Sequence, residues 1–437
     1  MKASSTRKEE LLELDPEAAV EALEVPPPRW PQTFDAFKDR NFCWFFAALF
    51  GNFAAMNMQM FIRGWLVYEI TGSYEKLGWM SAAGGAVGLV LAPLGGVVAD
   101  RVRQKKHVVQ FCQGVNASIT LTIAVLIALG VLNFGHLLLA SIVQGMSMNA
   151  MMPSRQALTA EIVGLERLTN AIALSTSGMN TARLLVPGLA GFIVAAFGGG
   201  NGNIEPAQYV YYTMTILYLI SMLGLIIVKV ADNEPENGHE PILRGLQQGF
   251  RYVFQTPTIR MLLGVNFLMV FFSMTYFLLL PGFVKDVLDA GPDRLGLLIS
   301  ISGVGSLVGS LLIASMPDRN RGRVLLSSAL LLGVGLIFFS ASTHYWLSVA
   351  ILTVVGLGQS GRMSLSNMLL QAHVDNDYRG RVMSIYMLEF SILAISIYPI
   401  SLLADRVGPQ IAVGISGVGL VLLVLVLFKV PAYRDLD

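Results

Sequence analysis

From Phe42 almost to Val430, long apolar runs alternate with short polar breaks. Each run holds about 20 residues with few charges, the length an α-helix needs to cross roughly 30 Å of hydrocarbon. Charges, prolines and turn residues set the runs at 41–68, 77–98, 108–131, 136–155, 166–197 and 208–230, then at 260–284, 294–316, 323–342, 345–370, 381–403 and 408–430. The pattern predicts an all-α integral membrane protein with twelve transmembrane helices. A soluble α/β enzyme would show shorter apolar runs and more charge between them. Asn133-Phe134-Gly135 and Ser342-Thr343-His344 are short enough to join consecutive spans as hairpins.

Composition agrees. Of 437 residues, 54% are hydrophobic and 14% charged, with a mean hydropathy of +0.61; soluble chains carry about a quarter charged residues. Lys and Arg collect on alternate breaks, leaving Lys76, Lys285, Arg294 and Arg406 to the opposite side. By the positive-inside bias both termini are cytoplasmic, in a multi-pass protein of a cell membrane, a bacterial inner or plasma membrane. A net charge of +1 gives no sign of a nucleic-acid partner, and the lipid bilayer is the expected surrounding.

The expected organisation is a disordered acidic tail with an amphipathic lead-in (1–40), a six-helix bundle (41–230), a cytoplasmic linker (231–259), a second six-helix bundle (260–430) and a short tail (431–437). Cys43 and Cys112 fall inside spans and form no disulfide framework or metal motif; no P-loop is present and the five histidines are scattered. The expectation is a monomer that is not an enzyme and holds no cofactor.

Shifting the chain by 218 positions lays Leu77-Gly78 on Leu295-Gly296, Gly85 on Gly303, and Asp100-Arg101 on Asp318-Arg319; at a slightly smaller offset Arg167 meets Arg381. Two parallel repeats about an axis along the membrane normal are one transporter architecture, so the two bundles should be pseudo-symmetric. Gly96-Val97-Val98-Ala99-Asp100-Arg101, with the basic cluster after it, resembles the signature loop of the major facilitator superfamily. Pro153-Ser154-Arg155-Gln156-Ala157-Leu158, Glu166-Arg167-Leu168-Thr169-Asn170-Ala171, Arg379-Gly380-Arg381-Val382-Met383-Ser384 and Trp65 to Ser73 are similar to its drug, macrolide and enterobactin (siderophore) exporter branch. The loop departs from the pattern at Arg103, where Gly is usual. The antiporter proline motif appears only in part, as Pro187-Gly188-Leu189-Ala190-Gly191.

Three groups of residues are candidates for function. Asp100 ends the second span, where a carboxylate can accept hydrogen bonds from helix N-termini or a guanidinium of the opposite bundle. It forms an expected cytoplasmic latch with Arg101, Asp318 and Arg319, beside an inner charge network of Arg155, Glu161, Arg167 and Arg381. Ionisable groups at membrane depth are the second set, because burying charge is costly. Arg183 lies near mid-span and, permanently charged, would hold an acidic partner or an anionic substrate. Arg362 and Glu389 lie at matching depths of roughly 12 and 10 Å and are expected to interact. Glu389 is the candidate proton-coupling site. Arg63 and Glu69, near the outer end of span one, suit a gate or simple anchoring.

The third set is a cavity of Asn52, Met56, Gln59, Asn149, Asn266, Tyr276 and Tyr386. Thioethers and aromatic rings form an adaptable apolar surface, suited to a small amphipathic organic substrate better than to a sugar, whose hydroxyls need many partners. The resemblance implies proton-coupled efflux of lipophilic or amphipathic compounds by alternating access. Transport of a lysophospholipid or other lipid, solute import, and a transporter-like sensor stay open.

Overall fold

The computed structural model describes residues 35–101, 104–228, 242–316, 319–434 and 436, with side chains except at 89–101, 153, 156–157, 160, 163–169, 242–246, 390, 392 and 432. After a 3₁₀ turn at Asp35–Lys38 come α1 Arg40–Thr71, α2 Tyr74–Arg101, α3 Lys105–Ala128, α4 Phe134–Ala196, α5 Ala207–Ile227, α6 Ile242–Gln255 and α7 Pro257–Asp286. They are followed by α8 Pro292–Ala314, α9 Arg321–Ala341, α10 Tyr345–His373, α11 Arg379–Met387, α12 Glu389–Val407, α13 Pro409–Phe428 and α14 Pro431–Arg434. Among the described residues, eight helices are long and apolar enough to cross a membrane. The protein is an all-α integral membrane protein.

Local chemistry sets the helix ends. The Asp39 carboxylate accepts from the Asn41 amide and opens α1, while Gly72 closes it at φ 58°, in the left-handed region that glycine enters without steric cost. Asn133 and His136 form a reciprocal capping box at the start of α4, which fixes the expected hairpin with α3.

Helix α4 differs from the expected pair of spans 136–155 and 166–197. Backbone helicity runs unbroken through its 63 residues, which as a straight rod would reach about 95 Å, three times a hydrocarbon core. Its contacts show a reversal instead. Arg63 of α1 bonds Ser141 and Gln144, while Phe53, earlier in α1, meets Arg155, so this arm runs antiparallel to α1. Farther on, Asn170 accepts from the Ala36 amide at 3.1 Å and Gly178 faces Phe46, so the second arm runs parallel to α1. The chain turns round between 155 and 170.

The expected span 381–403 is likewise two helices, α11 and α12, meeting at Leu388 just before Glu389. Helix α6, within the expected linker, docks on the second half: the Tyr252 ring stacks on Tyr378 with centroids 4.2 Å apart, and its hydroxyl donates to Asp375 at 3.0 Å.

The halves of the chain meet along two main seams, α2 against α12 and the second arm of α4 against α8. Residues that coincide under the sequence repeat occupy corresponding places in these seams. Gly78 lies against Ser401 and Tyr398, and Gly296 against Pro187 and Gly188; Gly85 faces Ala394, and Gly303 faces Leu184. Small residues let helix backbones approach closely in lipid. A Cβ at Gly296 would overlap the Pro187 carbonyl. Gly296→Val should therefore destabilise this seam by about 1–3 kcal/mol, read as a lower thermal midpoint in detergent and faster thiol labelling of a cysteine at Ser300.

Candidate functional site

Between the halves lies a cavity of about 160 Å³. The first half supplies Asn57, Met60, Phe61 and Gly64 from α1, with Arg183 and Pro187 from the second arm of α4. From the second half come Met274, Tyr276 and Phe277 of α7, Ile299, Ser302 and Ser306 of α8, and Gln359 of α10. The four α1 residues follow a spacing of three, one and three, one face of a helix. The volume is below the roughly 300–1,000 Å³ of drug-sized sites, so a larger guest requires the halves to part.

Of the residues expected to line a cavity, Tyr276 does so, and Arg183, singled out for its depth, joins it. The others lie elsewhere, because the α1 face toward the cavity is the one bearing Asn57, not the one bearing Asn52 and Gln59. Gln59 is buried, donates to Gln144 and accepts from Tyr218 at 3.2 Å. Asn52 is buried with neither amide atom partnered among the described residues. Met56 packs on the core, and Asn149 donates to the Gly145 carbonyl of its own helix at 2.8 Å. Asn266 and Tyr386 belong to a separate buried cluster.

That cluster contains Arg362 and Glu389, 2% and 3% exposed. They do not touch directly. Arg362 Nη1 donates to Asn266 Oδ1 at 3.2 Å, and Asn266 Nδ2 donates to Glu389 Oε2 at 2.5 Å. Asn266 serves both because an amide carries an acceptor and a donor on one plane. Arg362 Nε and the Tyr386 hydroxyl are buried without hydrogen-bond partners among the described residues. Unsatisfied buried polar atoms are uncommon, and here two fall in the cluster that also holds a buried carboxylate at the start of α12.

Arg63 turns inward, bonding Ser141 at 3.3 Å and Gln144 within the first half, while Glu69 binds at the end of the bundle that carries the sparse Lys and Arg. Glu69 accepts from the Gly202 amide and pairs with Lys285 of the second half at 3.0 Å. The two residues considered together in the sequence thus act separately.

The expected inner network is also rearranged. Glu161 pairs with Lys105 at 2.7 Å. Arg155 instead lies over the Phe53 ring, 4.7 Å from its centroid, and donates to Met152 Sδ, because aromatic faces attract a guanidinium. Arg381 packs over Tyr378, and Arg319 is exposed. Asp318 and the side chains of Asp100, Arg101 and Arg167 lie outside the described residues.

The opposite end holds a clasp that sequence reasoning missed. Asp405, in the last turn of α12, accepts from the Ser73 hydroxyl at 2.7 Å and from the Tyr74 and Glu75 amides at 2.6 and 3.0 Å. A carboxylate from one half thereby caps a helix of the other, satisfying orphan N–H groups at the positive end of α2. Asp286 accepts from the hydroxyls of Tyr68 and, at 2.9 Å, Tyr74. Glu75 accepts from Tyr398 at 3.2 Å, and the Glu69–Lys285 pair completes the closure. The available signal was the presence of acids at the ends of spans one, seven and eleven on the side poor in Lys and Arg. Among the described residues no group of three or more His, Cys, Asp or Glu side chains could hold a metal ion.

A profile of the Major Facilitator Superfamily matches residues 45–394 and 262–435. The chain is 22% identical over 387 residues to the multidrug efflux pump Tap of Mycolicibacterium fortuitum, covering 85% of this chain and 91% of that protein. The nucleoside transporter NupG shares the fold at a TM-score of 0.68 and 14% identity, over 90% of this chain and 99% of NupG. A bacterial homologue of the iron transporter ferroportin, in an inward-facing state, does so at 0.71 and 15%, over 89% and 98%. By the profile match and the shared fold, the chain belongs to the major facilitator superfamily, a family of secondary transporters and not of enzymes, built for alternating access.

Proposed function

We propose that the protein is a proton-coupled exporter of lipophilic or amphipathic organic compounds, from the superfamily's drug, macrolide and siderophore exporter branch. It has twelve spans in two pseudo-symmetric six-helix bundles (41–230 and 260–430), a linker at 231–259, tails at 1–40 and 431–437, and both termini in the cytoplasm of a bacterial cell. It works as a monomer. The observation that carries the reading is the cavity rich in Met, Phe and Tyr side chains between the halves, closed toward one face by the Asp405 and Asp286 clasp. The likeness to a mycobacterial multidrug efflux pump over most of both chains supports the export direction. Breaking the clasp would open the cavity outward while the inner seam closes. The expected latch of Asp100, Arg101, Asp318 and Arg319, with Arg155, Glu161, Arg167 and Arg381 around it, would hold that second state. Glu389, held by Asn266 and facing Arg362 through it, would carry the proton.

Purified protein in sealed proteoliposomes tests this. An imposed pH gradient should drive amphipathic aromatic compounds against their concentration gradient and leave sugars behind. Binding without flux would mark a sensor, and flux of lysolipids alone would mark a lipid transporter.

A further inference from the structure

Among the described residues, the cavity wall carries one fixed charge and no carboxylate to neutralise it. Among its lining residues Arg183 is the sole charged group; no Asp, Glu, Lys or His is present. Among the described residues no carboxylate pairs with Arg183. The cluster carboxylate, Glu389, is engaged by Asn266, and the clasp carboxylates are occupied at the bundle end. A guanidinium keeps its proton at any working pH, so this positive charge is permanent.

A second polar group points to a guest. Gln359 is 8% exposed and lines the same cavity. Its Nε2 donates to Met274 Sδ at 3.2 Å, while its Oε1 is buried with no partner among the described residues. Two other polar groups of the wall are engaged: Asn57 donates to the Phe53 carbonyl at 2.8 Å, and the Ser306 hydroxyl to the Gly356 carbonyl at 3.1 Å. The wall therefore offers a cation and an unmet acceptor beside the apolar side chains of Met60, Phe61 and Phe277.

We infer that the cavity selects amphipathic organic anions. The substrate carries a carboxylate, sulfonate or phosphate for Arg183, an N–H or O–H donor for Gln359, and an apolar ring system for the rest. Arginine suits such groups because its forked donors match two oxygens at once. Organic cations are disfavoured by the like charge. The inference rests on the proposed transport reading but concerns binding, so it can be tested apart from flux.

Three probes with one fluorophore separate charge from shape: dansylglycine (anionic), dansylamide (neutral) and dansylcadaverine (cationic). Binding to the full-length protein in a non-ionic detergent is read by dansyl emission above protein-free micelles. Dansylglycine should bind at least about tenfold more tightly than either analogue, a difference of 1.4 kcal/mol. Arg183→Gln should erase that preference by bringing dansylglycine down to the affinity of dansylamide, with a cooperative thermal unfolding transition showing that the variant is folded. Arg183→Lys should keep part of it, and Gln359→Leu should weaken dansylglycine and dansylamide alike, since both carry a sulfonamide N–H. Equal or tighter binding of dansylcadaverine by wild type would overturn the inference, as would an anion preference that survives Arg183→Gln. Counterflow of dansylglycine in proteoliposomes is scored separately. Anion-selective binding without flux would sink the transport reading and uphold this one; flux without charge preference would do the reverse.

Discussion

Glu389→Gln should abolish uphill accumulation driven by a pH gradient while leaving substrate exchange at equal pH in place. The substitution keeps shape and an oxygen acceptor for Asn266 but cannot gain or lose a proton. A buried carboxylate held by a single neutral hydrogen bond, with its arginine one amide away, is poised between two charge states more easily than one clamped in a direct ion pair. The start of α12 at this residue supplies a second reason: the junction at Leu388 divides the span where protonation would act. The partner variant has a different signature. Arg362→Met leaves Glu389 buried without its countercharge, which for a buried pair costs about 3–5 kcal/mol. The double variant Arg362→Met with Glu389→Gln should recover most of that stability, measured as thermal midpoint, and still fail to couple. Retained pH-driven accumulation in Glu389→Gln would move the coupling site elsewhere.

The second large effect concerns the clasp. Asp405→Ala removes three hydrogen bonds made only when the halves are closed at that end. Loss of an N-cap alone costs about 0.5–2 kcal/mol, and hydrogen bonds to a charged group contribute about 1.5–3 kcal/mol each. Allowing for water to replace them, a net of about 2–3 kcal/mol raises the outward-open population by about 30- to 150-fold. Distance measurements between spin labels at Gly202 and Asp289 should show the separation growing in Asp405→Ala. Asp286→Asn, which retains an acceptor for Tyr68 and Tyr74, should do less. An unchanged distance distribution would show that the seams at Gly78 and Gly296 close this end unaided.

The all-helical membrane class was legible in the sequence because it rests on run length and on charge, both local properties. The Arg362–Glu389 association was legible for a related reason: two isolated charges in consecutive apolar runs at equal depth have few other places to go. Asn266 as their bridge was not, since an amide in an apolar helix carries no sign of which neighbour it serves. The cavity face of α1 was misjudged because Asn57 lies on a different side of the helix from Asn52 and Gln59. Only contacts with α4 and α5 reveal that Gln59 is occupied inside the first half. The clasp escaped notice because Asp286 and Asp405 sit at span ends, where a charge looks like ordinary solvation until a capped helix from the other half is seen against it.

In alternating access the cavity between the halves opens to one side of the membrane at a time. Single cysteines at Met60 and Ile299, on opposite walls of the cavity, can be labelled with an impermeant maleimide from either side of oriented vesicles, after Cys43 and Cys112 are replaced by Ala. In an otherwise unaltered background both should react from the cytoplasmic side and resist from the other, and adding Asp405→Ala should reverse the preference. Equal labelling from both sides at once, or a preference indifferent to Asp405, would contradict the account.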